Sequence, residues 1–90
     1  MRIHEEEYEH PTQASRVRLN VYEQRPTGEE KVAGLAPREP GFLVTEERLG
    51  AGKVVATLGY FPGRAEALAR LEARRRELER QLYRRLSAST

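Results

Sequence analysis

Two histidines bracket a run of carboxylates at the start of the chain: His4, Glu5, Glu6, Glu7, Glu9 and His10. Imidazole and carboxylate together can hold a divalent metal. The helical zinc patterns H-E-x-x-H and H-x-x-E-H are both absent, so the expectation here is an acidic, mobile terminus with no metal. Further along, Leu49-Gly50-Ala51-Gly52-Lys53-Val54-Val55 carries the glycines and lysine of a phosphate loop. A Walker A loop needs a glycine five residues before Gly52 and a hydroxyl after the lysine. Glu47 and Val54 stand there instead. The dinucleotide fingerprint fails too, because Val55 takes the place of the third glycine. Both motifs also need a helix behind the loop, whereas β-branched residues follow. No nucleotide and no cofactor is expected. The serines at 15, 87 and 89 sit in no nucleophile motif, and there is no cysteine. The expectation is a protein that is not an enzyme.

A third cluster is basic. Arg74, Arg75, Arg76, Arg84 and Arg85, with Arg16 and Arg18, form a candidate surface for nucleic-acid phosphates. The bland alternative is a solvated helix balanced by Glu72, Glu77 and Glu79. Arg75 is odd, since it falls in the apolar seam between Leu71 and Leu78. It either snorkels along the sheet edge or meets a glutamate.

The elements that must position these groups fit a single domain of 90 residues. Residues 15–24 alternate: Val17, Leu19 and Val21 face one way, and Arg16, Arg18, Asn20 and Tyr22 the other. Residues 25–41, with Pro26, Gly28, Gly34, Pro37, Pro40 and Gly41, read as turns. Lys31-Val32-Ala33 is a possible short strand within them. Residues 42–48 and 53–61 are two strands around the glycine turn. A three-residue loop, Gly50-Ala51-Gly52, pairs Phe42 with Tyr60, Val44 with Leu58 and Glu46 with Ala56. Gly52 is expected at positive φ. From Pro62 the period becomes helical, with Leu68, Leu71, Leu78 and Leu82 on one face. Gly63 serves as N-cap, and the helix is expected to run over 63–86. The fold class is α+β: an antiparallel sheet of three to four strands packed on one long C-terminal helix, with 1–14 as an acidic segment.

That register leaves Leu43, Val55 and Phe61 on the face away from the helix, beside Tyr22. A helix of 24 residues also outruns strands of this length, so Leu82, Tyr83 and Leu86 are expected to overhang. Both surfaces point to a homodimer. The favoured function is therefore a small non-enzymatic interaction module that is homo-oligomeric. Nucleic-acid binding is the alternative.

Composition adds three points. Arginine outnumbers lysine 14 to 2 and all 14 acids are glutamate, which fits heat adaptation. Residues 1–30 carry a net −3, 31–61 a net +1 and 62–90 a net +4. The head is acidic and the tail basic. No run approaches the ~18 apolar residues of a membrane span and no signal peptide is present, so a cytoplasmic protein with no membrane partner is expected.

Residues 42–86, FLVTEERLGAGKVVATLGYFPGRAEALARLEARRRELERQLYRRL, resemble a WGR domain. That family runs strand, glycine turn, strand ending in Phe, then an Ala-containing helix ending near Tyr. The resemblance covers half the chain and implies a nucleic-acid-binding module. The signature Trp-Gly-Arg falls at Leu49-Gly50-Ala51, where only Gly50 matches.

Overall fold

Alternating side chains build most of this molecule, and one interruption in the alternation decides which side chains face the helix. In a computed structural model, which describes residues 1–24, 40–50 and 52–89, the chain forms β1 (Arg2–Glu9), β2 (Arg16–Gln24), β3 (Gly41–Leu49), β4 (Lys53–Phe61), α1 (Arg64–Arg80) and β5 (Arg84–Ser89). The strands make one antiparallel sheet in the order β4-β3-β2-β1-β5. The class is α+β as expected, with five strands rather than three or four. Lys31-Val32-Ala33 lies outside the described residues.

The helix packs over β2, β3 and β4. Tyr8, Val17, Leu19, Val21 and Val44 from the sheet meet Ala67, Leu71 and Leu78 from the helix. All eight are buried. Their spacing is two along β2 and four, then seven, along the helix, so both periods converge on one layer.

The acidic head is no mobile terminus. It forms β1, between β2 and β5. Glutamate is a poor strand former, but cross-strand arginines offset that here. Glu7 lies opposite Arg18, and Glu9 opposite Arg16 on one side and Arg84 on the other.

The β3–β4 hairpin has the expected three-residue connection, with Glu46 opposite Ala56 and Gly50 N–H bonded to the Gly52 carbonyl at 3.2 Å. Gly52 is not in the left-handed region, contrary to expectation. Beyond Thr45 the expected register fails. A bulge places Val44 opposite Gly59 and Phe42 opposite Phe61. Leu58 is the extra residue, and every side chain after it changes face. Phe61 therefore packs against the core instead of standing on the far side. Its ring folds back over Gly59, where a Cβ would lie 2.6 Å from a ring carbon. Tyr60 takes the far-side place, in a row with Leu43 and Tyr22.

The helix starts at its expected cap, Gly63, and stops six residues early. Leu82 N–H donates to the Glu79 carbonyl at 3.0 Å and Tyr83 N–H to the Leu78 carbonyl at 3.0 Å. This pair of bonds is the Schellman closure, usually made with glycine in the left-handed position. Here Leu82 occupies it at φ 72°. Tyr83 then packs back on the core, and the chain turns into β5. Seventeen helical residues span ~26 Å, shorter than a nine-residue strand at ~30 Å, so no overhang exists. Leu82 is 68% exposed and loses little packing on truncation. Leu82→Gly should raise stability by about 1 kcal/mol, because a left-handed L-residue costs ~1–2 kcal/mol and glycine returns part of that as chain entropy. Urea unfolding of the two proteins checks this.

Candidate functional site

The polar groups gathered by the fold lie on one row beneath the helix. Leu19 of β2 pairs with Glu6 of β1 on one side and Glu46 of β3 on the other. Two carboxylates thus flank a leucine on the helix-facing side of the sheet, and both are buried. Consecutive helix residues reach them in opposite directions. Arg74 Nε donates to Glu46 Oε1 at 2.5 Å, and Arg75 Nε donates to Glu6 Oε1 at 2.8 Å. The two guanidiniums straddle Leu19. Of the two expectations for Arg75, the meeting with a glutamate holds.

Glu6 is saturated with donors. Besides Arg75 Nε and Nη2 it receives Tyr8 Oη–H at 2.5 Å and His4 Nε2 at 2.6 Å. Burial alone pushes its pKa up. Hydrogen bonds from Arg75, Tyr8 and His4, together with the Arg75 charge, outweigh burial and hold it at about 2. Burial and the Glu6 hydrogen bond push the Tyr8 phenol up, so it stays a donor. The Glu6 hydrogen bond likewise raises Arg75. A carboxylate with so low a pKa and no free lone pair is a poor proton acceptor near neutrality. The arrangement suits a fixed ion pair that sets the register of helix on sheet. Glu46 behaves alike. Burial opposes its ionisation, and Arg74 and Arg48 lower its pKa nonetheless.

The other sheet face carries a second set. Arg18 bonds Glu7 at 2.9 Å, Glu5 at 2.9 Å and Glu47 at 3.1 Å. The Glu7 hydrogen bond, with these charges, raises its pKa. Asn20 Nδ2 donates to Thr45 Oγ1 and Glu47 Oε1, each at 3.4 Å. This middle band is polar, and the apolar residues expected there are divided. Leu43 and Tyr22 are half-buried at one end, while Val55 is exposed near the turn.

The candidate nucleic-acid residues do not assemble into one surface. Arg74, Arg75 and Arg18 are committed to glutamates. Arg76 pairs with Glu72 at 2.8 Å on the outer helix face. Arg84, on β5 rather than a helix, pairs with Glu9 at 2.9 Å. Arg16 and Arg85 are exposed on two different strands. Of the dimer candidates at the helix end, Tyr83 is occupied. Its hydroxyl bonds Ser15 Oγ at 2.8 Å and its ring meets His10 edge-on at 5.3 Å. Leu82 and Leu86 are exposed, in the turn and in β5.

His4 and His10 stand apart. His4 lies against Glu6, and His10 Nδ1 accepts the Thr12 and Gln13 amides at 3.2 Å. Among the described residues no group of three potential ligands gathers to hold a metal. Nor is any described helix long and apolar enough to cross a membrane. Sequence reasoning missed the Glu6 and Glu46 clamp. The available signal was Arg75 in the apolar seam between Leu71 and Leu78, a place that a buried acid across from it would explain.

Comparison with protein-family models, with curated proteins and with solved structures gives no match. The likeness of residues 42–86 to WGR domains gains no support from these comparisons. The order of elements departs from it as well, because α1 ends before Tyr83 and a strand follows.

Proposed function

We propose that the protein is a non-enzymatic interaction module that pairs with a second copy of itself through the edge of β4, which no described strand covers. The observation that carries this reading is the contrast between the sheet's two edges. β5 is six residues long and opens with Arg84 and Arg85. Short, charged edges resist pairing. β4 is nine residues long, and its only charge is Lys53 at the start. Val54 is 62% exposed and Val55 55%. One valine projects to each side of the sheet. The bulge at Leu58 bends the far half, which leaves Lys53–Thr57 as the regular stretch.

Antiparallel self-pairing centred on Val55 sets Val55 against its own copy and each Lys53 across from a Thr57. No like charges oppose one another. The two sheets become one of ten strands with a two-fold axis. So short a pairing buries little area, and the expected dissociation constant is micromolar. The arginines argue for this reading over nucleic acid, since most of them already hold glutamates.

Light scattering across the micromolar range tests it. The mass should climb from 10.3 kDa toward twice that value. Val55→Lys, which adds an edge charge at an exposed site, should return it to the monomer without lowering the melting temperature. A constant monomer mass for the unmodified chain at every concentration rejects the proposal.

A further inference from the structure

Arg64 opens the helix with an exposed guanidinium, and among the described residues no acid pairs with it. Beside it the helix stops short of covering β1. A recess of about 290 Å³ lies there, lined by His4, Arg64, Leu68, Leu71, Glu72 and Arg75. Its walls are mostly apolar. Leu71 forms the inner part, and Leu68, 37% exposed, forms the rim.

The charges around the recess are unequal in their freedom. Arg75 spends Nε and Nη2 on Glu6, which leaves Nη1 as a donor. Glu72 is tied to Arg76 at 2.8 Å. His4 gives Nε2 to Glu6, and its Nδ1 is buried with no partner among the protein atoms. The recess therefore offers one unpaired positive charge, one spare guanidinium donor and two leucines. Glu72 at the rim repels a second negative charge.

We infer that this recess between α1 and β1 binds a small amphipathic monocarboxylate. The carboxylate meets Arg64 at one end of the recess, and the apolar body lies on Leu68 and Leu71 toward Arg75. The volume admits a short chain or a single ring and falls at the lower limit of ordinary ligand sites. An occupant this small, half open to water, binds in the millimolar range.

The test is a titration of the isotopically labelled protein, followed by amide and histidine-ring resonances. The probes are sodium hexanoate, 1-hexanol and sodium succinate at matched ionic strength and millimolar concentration. Hexanoate should give saturable shifts centred on His4, Leu68, Leu71 and Arg75. Hexanol, which lacks the charge, and succinate, which has two charges and no tail, should each bind about tenfold more weakly or worse. Arg64→Gln removes an exposed charge and should weaken hexanoate about tenfold while the melting temperature stays put. No saturable shift with hexanoate overturns the inference. So does equal binding of hexanol, or an Arg64→Gln protein that binds hexanoate unchanged. Val55→Lys leaves the recess intact, so loss of self-association and loss of hexanoate binding are read separately.

Discussion

Arg75→Met should lower the stability of the fold by about 3–5 kcal/mol, the cost of leaving a buried carboxylate without its counter-ion. Glu6 is 1% exposed, and Arg75 is the guanidinium that meets it, beside the donors Tyr8 and His4. A domain of this size has roughly 5–15 kcal/mol in total, so the loss is severe. The informative variant is the double one. Glu6→Gln in the unmodified chain discards a charge that Arg75 needs and should be destabilising. In the Arg75→Met background the same change removes an unpaired buried charge and keeps an acceptor for Tyr8. There it should be stabilising. Urea denaturation of the four proteins measures this reversal. An equal Glu6→Gln effect in both backgrounds would show that the two side chains do not depend on each other.

The second large effect is acid sensitivity. Glu6 is held at about 2 against an ordinary value of 4.5. The unfolded chain then binds the proton first, and stability falls as pH drops through that interval. The contribution is complete above pH ~4.5 and gone below pH ~2. It amounts to about 3 kcal/mol. Glu46, also lowered, adds to the loss in the same direction. Denaturant midpoints followed downward from neutrality should hold steady until about pH 5 and then decline. Glu6→Gln should flatten the curve. Stability that is unchanged between pH ~4.5 and ~2 would contradict the reading of Glu6 as a buried carboxylate.

Much of the sheet was legible because its signal is local. The alternation of Val17, Leu19 and Val21 placed β2, and the Gly50-Ala51-Gly52 spacing placed the loop of β3 and β4. Gly63 and the leucine spacing placed the start of the helix. What escaped was set by partners distant in sequence. β1 is written in glutamates and becomes a strand only because arginines on β2, α1 and β5 meet it. A coarser signal existed, since the acidic head and the basic tail complement each other and become neighbours in the sheet. The helix end escaped because Leu82 stands where glycine would announce a Schellman closure. The bulge left one trace. Gly59, isolated inside a strand, is the kind of residue that marks such a break, and it explains why Phe61 turns inward.

The clamp was half legible. Arg75 in the seam left two outcomes, snorkelling or a glutamate, and the choice between them depended on β1 being a strand. The dimer surface moved for a related reason. The expected overhang of Leu82, Tyr83 and Leu86 rested on a helix seven residues longer than the one that forms. The far face of the sheet proved polar in its middle, around Arg18 and Asn20. Val55 is the residue of that earlier set that the β4 edge retains.

Amide hydrogen exchange of residues 54–57 at low and high protein concentration tests pairing through β4 most directly. In a lone molecule the amides of β4 that point away from β3 face water and exchange fast. If β4 pairs with a second β4, those alternate amides should slow about tenfold or more at high concentration. The amides of β5 should be unaffected, and Val55→Lys should abolish the slowing. Exchange rates along β4 that do not change with concentration would contradict the proposal that this edge joins two copies of the chain.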